Sequence, residues 1–232
     1  PGLIALQNAE MLAGVTLTQL VNPGAPVIYG ATSTVTNMLT GGLAIGAPEL
    51  SMLQNATIQM GKFYGLPCRG SGGLSDAQYP DMQAGIESTL ALSTTVMSGA
   101  NFVLHACGIL GSYLAMSYEK FLADEEICSM LRRMLEPLEV TDERIDLDTI
   151  RSVGIGSEYL THPNTLAHCR TEFYLSNMMS RDDFTTWGDK GGKTLSERLP
   201  EIFKKRMLTY VRPDIAPEIK KDLDNYIALQ TG

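Results

Sequence analysis

Between residues 64 and 87 the chain gathers most of the side chains that could act on a small charged molecule. Arg69 and Ser71 follow a short apolar run, Gly70, Gly72 and Gly73 come almost together, and Asp76, Asp81, Gln83 and Glu87 follow. Closely set glycines let backbone turn sharply or lie against a ligand. Carboxylates beside such a loop could steady a cation or move a proton. Gln83 and Glu87 are four apart, so a helix there shows both polar heads on one face. A turn followed by a capped helix accounts for the same residues without any chemistry.

His105 ends the apolar run 101–105, and it is the one histidine before residue 162. A lone histidine there is more often a satisfied core residue, but a strand's carboxyl end is also where α/β proteins keep reactive groups. Tyr29, Thr32 and Ser33 follow an earlier apolar run. His162, His168 and Cys169 invite a zinc reading, but their spacing matches no common structural site and no second thiol pair stands near. Helix capping and packing are expected instead, with no metal. There is no GxSxG, HExxH or P-loop pattern, and no GxGxxG after the first apolar run.

These residues need elements to position them. Strands are expected at 25–29, 65–69 and 101–105, alternating with helices at 3–22, 48–63, 80–97 and 114–135, with a long loop at 30–46. Pro80 suits the first position of its helix and Asp81 its positive end. Met82, Ile86 and Leu90 recur at helical spacing and predict a buried stripe. Wholly apolar strands alternating with helices mean an α/β fold with a parallel sheet. An open doubly wound sheet and part of a TIM (β/α)8 barrel both fit; the barrel piece is preferred because the dinucleotide fingerprint is missing. Residues 1–138 are expected to supply the βα units. Residues 139–232 are expected to form a helical C-terminal extension packed on the barrel, with Leu147, Ile150, Leu166 and Leu175 buried.

Composition bounds the function. The 232 residues are 44% apolar and 19% charged, an ordinary globular balance. A net charge of -8 argues against nucleic acid or an anionic membrane as partner. No run approaches the ~20 apolar residues of a membrane span. Four cysteines without CxxC spacing suit free, mostly buried thiols in a reducing, cytoplasmic setting. Pro1 is not a native start, and no leader pattern follows it, so the chain reads as a piece of something longer.

The segment GSGGLSDAQYPDMQAGIE (70–87) resembles the signature of the trimethylamine methyltransferase superfamily. PGAPVIYG (23–30) and YLTHPNTLAHCRTE (159–172) are similar to it as well. The resemblance covers essentially the whole chain and implies the C-terminal half of a TIM-barrel enzyme about twice this length. It implies methyl transfer from a methylated amine to cobalamin, the corrinoid being carried by a separate corrinoid protein and not by this chain. The chain shows no pyrrolysine, so it resembles the branch whose substrates are quaternary amines such as glycine betaine. A trimethylamine substrate, or a non-catalytic structural half or ligand-binding fragment, is the alternative. His105 and Glu87 are then the expected catalytic residues, with Tyr29, Arg69, Ser71, Asp76, Asp81 and Gln83 binding substrate. Tyr29 and the carboxylates suit an ammonium, and His105 and Arg69 a substrate carboxylate. The isolated piece is expected to be inactive, and the whole enzyme a homo-oligomer.

Overall fold

A computed structural model describes residues 1–231 of the chain. Helix α1 (Gly2–Val21) lies against α2 (Pro48–Phe63). Proline at the first turn, Glu49 near the start and Lys62 near the end make α2 agree with its own dipole. Between the two helices, the stretch expected as a loop folds into a hairpin of β1 (Val35–Thr36) and β2 (Leu43–Ala44). Asn37 closes its turn, its carbonyl accepting from the Thr40 and Gly41 amides.

Three parallel segments form the centre. Strand β3 (Arg69–Ser71) pairs in parallel with β4 (Phe102–Leu104), and Tyr29 forms a parallel bridge to Cys68. The first segment is thus shorter than the strand expected at 25–29. Proline has no N–H to donate to a ladder, and Pro23, Pro26 and Pro67 flank this pairing. Only Tyr29 N–H to the Pro67 carbonyl (2.8 Å) and Arg69 N–H to the Tyr29 carbonyl (2.9 Å) survive. The connections run through α2 and through α3 (Met82–Met97), which pack on each other and on β3. No closed barrel forms among the described residues.

Two expectations for α3 are corrected. Asp81 is the N-cap, its carboxylate accepting from the Ala84 amide at 3.2 Å, so Pro80 stands outside the helix. Met82, Ile86 and Leu90 are exposed; the buried face is Ala84, Ser88, Ala91, Leu92 and Thr95. Small residues face inward because α3 lies close on its neighbours, which leaves the larger apolar stripe outside.

After β4, a second hairpin joins β5 (Ile109–Leu110) to β6 (Ala115–Met116). It delays the next helix, so α4 (Tyr118–Leu135) begins four residues later than the apolar pattern suggests, capped by Ser117. The tail holds α5 (Asp142–Ile145), α6 (Leu147–Val153), α7 (Pro163–His168), α8 (Phe184–Asp189), α9 (Leu195–Leu208) and α10 (Pro217–Thr231). Its grip on the rest of the protein is on α4, through α9 and through Tyr174, whose hydroxyl donates to Glu126 at 2.9 Å. There Leu122, Met178 and Leu199 are buried together, and Tyr118 stacks on Phe203 at 4.5 Å. Leu147, Ile150, Leu166 and Leu175 are exposed, contrary to expectation, because α5, α6 and α7 bury nothing against the centre. Of the four free thiols, Cys68 is buried and the other three half-buried. No described helix is long and apolar enough to cross a membrane.

Candidate functional site

The parallel segments deliver their carboxyl ends to one cavity of about 170 Å³. Thr32 and Thr34 reach it from beyond Tyr29, Arg69 and Ser71 from β3, His105 from the end of β4, and Tyr113 from the β5–β6 turn. Ile45, Leu50 and Leu74 form its apolar floor and are almost wholly buried.

The loop after β3 lies directly on the loop after β4. A Cβ on Gly72 would stand 2.3 Å from the His105 carbonyl oxygen and 2.4 Å from the Ala106 Cα. Only glycine permits that approach. Gly73 N–H donates to the Ala106 carbonyl at 3.1 Å, so the two loops move as one.

His105 has a φ of 55°, left-handed backbone that is uncommon outside glycine. Tyr113 is left-handed too, with φ 76°, and the two rings meet edge to face at 5.3 Å between centroids. Burial raises the Tyr113 phenol above its usual range, partly offset by the Arg69 guanidinium. Arg69 itself lies along the backbone of Gly30, where a Cβ would come within 2.1 Å of its Cγ.

The acidic residues stand behind the cavity rather than in it. Asp76 accepts from the amides of Ile45 and Gly46, both at 2.9 Å, and from Ser112 Oγ at 2.6 Å. It therefore joins the β1–β2 hairpin to the β5–β6 turn. Glu87 Oε2 accepts from Ser75 Oγ (2.7 Å) and the Asp76 amide (2.8 Å), while Gln83 Nε2 donates to its Oε1 at 2.8 Å. Asp81 is engaged as the α3 cap. Tyr29 points elsewhere: its hydroxyl donates to Asn8 Oδ1 at 2.8 Å, under α1 and α2, where burial and Tyr64 raise its pKa.

The expectation that His105, Asp76, Asp81, Gln83, Glu87 and Tyr29 line one cavity is thus corrected. Of that set only His105 does, joined by Arg69 and Ser71. The hydrogen-bond geometry gives the reason: backbone amides and hydroxyls claim the carboxylates first. His162 caps α7 by accepting from the Asn164 amide at 3.2 Å.

Sequence reasoning missed Tyr113 and the buried pair Lys120–Asp124. Lys120 Nζ donates to the Gly73 carbonyl (2.8 Å), Ser88 Oγ (2.6 Å) and Asp124 Oδ2 (2.6 Å). Asp124 Oδ2 also accepts from the Gly108 amide at 2.8 Å. The pair is 2% and 1% exposed and holds the loops after β3 and β4 from below. Burial raises the Asp124 pKa and outweighs the attraction of Lys120. Opposite charges at i and i+4 look like a solvated helix face; their only distinctive signal is their place beneath a glycine-rich loop.

The chain is similar to known proteins along its whole length. The family described as trimethylamine methyltransferase (MTTB) matches residues 1–231. A glycine betaine methyltransferase of Desulfitobacterium hafniense (strain Y51) is 40% identical over 227 residues, which is 98% of this chain and 47% of the relative. A proline betaine:corrinoid methyltransferase of Eubacterium limosum is 37% identical over 234 residues, covering 97% and 47%. A trimethylamine methyltransferase of Methanosarcina barkeri (strain Fusaro / DSM 804) is 32% identical over 229 residues, covering 96% and 46%. The chain spans about half the length of the curated relatives it matches.

Proposed function

This chain belongs to the trimethylamine methyltransferase family, and on that premise we propose that it is the C-terminal half of a corrinoid-dependent methyltransferase acting on a quaternary amine with a carboxylate, of the glycine betaine kind. In this reading residues 1–138 are βα units of a (β/α)8 barrel. The three parallel segments with intervening helices support it.

The observation that carries the proposal is the content of the cavity. Arg69 offers a cation and the Tyr113 and His105 rings offer aromatic surface, at the carboxyl ends of parallel strands. Arg69 suits the substrate carboxylate, and Tyr113 the ammonium, which is attracted to an aromatic face. A substrate without a carboxylate would make no use of Arg69.

A quaternary ammonium already carries the charge that makes its nitrogen a leaving group. When the methyl leaves, the C–N bond breaks, its electron pair stays on nitrogen, and a neutral tertiary amine remains. No proton moves, so His105 is needed for position rather than as a base. The corrinoid supplies the nucleophile that accepts the methyl group. The cavity is smaller than the ~300–1,000 Å³ of sites that enclose drug-sized ligands, so it suits a small amine, and a corrin ring would meet that amine from the mouth. Arg69, Ser71, His105 and Tyr113 bind and orient the amine and exclude water.

Thermal-shift measurements on the full-length enzyme test the reading. Glycine betaine or proline betaine at about a hundred times Kd is expected to add ~2.7 kcal/mol of stability. For an enzyme of roughly 480 residues, about 1 °C per kcal/mol, that is a melting shift of about 3 °C. Arg69→Gln should abolish it, and trimethylamine should give none. His105→Ala should fold normally and slow methyl transfer about tenfold or more, ~1.4 kcal/mol of barrier. A shift with trimethylamine alone, or full turnover in His105→Ala, sinks the assignment.

A further inference from the structure

Gln54, on the inner face of α2, is 3% exposed and lines the cavity one helical turn after Leu50. Its place follows from the short first segment of the sheet. The ladder on that side ends where the Arg69 amide donates to the Tyr29 carbonyl. The next β3 amide on the same edge, that of Ser71, donates instead to Gln54 Oε1 at 3.2 Å. This contact also fixes which way round the side-chain amide lies. A backbone N–H can only donate, so it must meet the oxygen, and the NH2 group is the end left over.

No acceptor meets Gln54 Nε2 among the described residues. Nor is the atom sealed in: the one enclosed side-chain polar atom without a partner there is Gln7 Oε1. Pairing with Ser71 calls for an acceptor and nothing more. Glutamine adds two N–H donors in a buried place, which cost free energy unless something accepts from them.

The cavity wall suits an acceptor that is charged. It holds one cation, Arg69, and no carboxylate. Arg69 and Gln54 Nε2 can only donate, whereas the hydroxyls of Thr32, Thr34 and Ser71 turn to either role. In a space of about 170 Å³, a molecule that fills the cavity reaches both donors.

We propose that Gln54 is a specificity-determining residue of the amine site: its Nε2 donates to the substrate carboxylate beside Arg69 and selects amines that carry a carboxylate over those that do not. This rests on the functional reading above and assigns to it a residue on α2. During methyl transfer the nitrogen changes charge and the carboxylate does not. The bond from Gln54 is therefore as strong in the bound substrate as in the transition state, and losing it raises KM without lowering kcat.

The test is methyl transfer from glycine betaine to free cob(I)alamin by the full-length enzyme, with melting temperature read on the same samples. Gln54→Glu keeps an acceptor for the Ser71 amide and replaces the NH2 group by an oxygen. Gln54→Met keeps the length and removes both ends. Gln59→Glu, on the exposed face of α2, is the control. Gln54→Glu should raise KM about tenfold or more, with kcat and melting temperature little changed. Gln54→Met should raise KM as well, and should melt lower because Ser71 loses its partner. Gln59→Glu should change none of these. KM does not depend on the folded fraction, so a destabilised variant still decides. An unchanged KM in both Gln54 variants overturns the inference. So does a fall in kcat at constant KM, which would make Gln54 a support for the sheet alone. In either case normal turnover by the unaltered enzyme leaves the functional reading standing. An unaltered enzyme that moves no methyl from any carboxylated quaternary amine refutes that reading, and the role of Gln54 with it.

Discussion

Replacing Lys120 by methionine tests how the glycine-rich loop is held. The substitution keeps the length of the side chain but removes three donated hydrogen bonds, to Gly73, Ser88 and Asp124. It leaves the Asp124 carboxylate buried with the Gly108 amide and no counter-charge. Breaking a buried pair from one side costs about 3–5 kcal/mol. In the full-length enzyme, at about 1 °C per kcal/mol for roughly 480 residues, the melting temperature should fall by about 3–5 °C. The loss should also depend on pH, and its sign follows from Asp124. Its folded pKa is already raised by burial despite Lys120, and removing Lys120 raises it further. A raised carboxyl is favoured in its protonated form, so its contribution to stability is greatest below the unfolded pKa and fades as pH rises through the folded one. Lys120→Met should therefore cost most at pH 8 and less at pH 5. The double variant Lys120→Met, Asp124→Leu should cost less than the sum of its two single variants, since it removes both charges at once. Urea denaturation at both pH values measures all of this. A loss under 1 kcal/mol, a loss that does not change with pH, or strict additivity would refute the reasoning.

Two other substitutions probe the centre of the sheet. Tyr29→Phe should cost about 1 kcal/mol through the lost bond to Asn8 and leave amine binding untouched, read by urea denaturation and thermal shift on the same samples. Gly72→Ala should cost about 1–3 kcal/mol or more, since its methyl meets backbone at 2.3 Å, and should weaken betaine binding by moving His105. Gly14→Ala, on α1 with open space at its Cβ, is the control and should gain up to ~1 kcal/mol in the same denaturation series.

Much of the framework is legible in the sequence because its signals are local. Pro48 with Glu49 marks the start of α2, and the apolar run before His105 marks β4 and puts the histidine at its carboxyl end. The hairpins are not legible: strands of two residues have no period to detect, and threonine with glycine reads as loop. The stripe Met82, Ile86, Leu90 shows the complementary failure, since periodicity reveals a face but not whether anything covers it. Carboxylates fail for a third reason. Asp76 and Glu87 are polar, near the site and suitably typed, yet their hydrogen bonds are to residues up to 36 positions away, which no local pattern records.

Those long-range bonds explain the distribution of strain. Of the four non-glycine residues with left-handed backbone among those described, His105 and Tyr113 line the cavity, Ser112 precedes Tyr113 in the chain, and only Asp146 lies in the tail. Such conformations cost about 1–3 kcal/mol each and persist only where the surroundings over-determine them. Here the restraints run in sequence. Glu87 fixes Ser75 and the Asp76 amide, and Asp76 fixes Ser112 through its hydroxyl. The Ser112 and Gly111 amides donate to the carbonyls of Ser75 and Ala77 at 3.1 and 2.9 Å. Next in the chain is Tyr113, whose ring meets that of His105. His105 is held in turn by the loop that Gly72 allows to lie on its carbonyl. The carboxylates that the sequence offers as partners for an ammonium act, on this geometry, one step removed. They keep two aromatic rings in a backbone conformation those residues would otherwise leave, and the rings with Arg69 are what a betaine would meet.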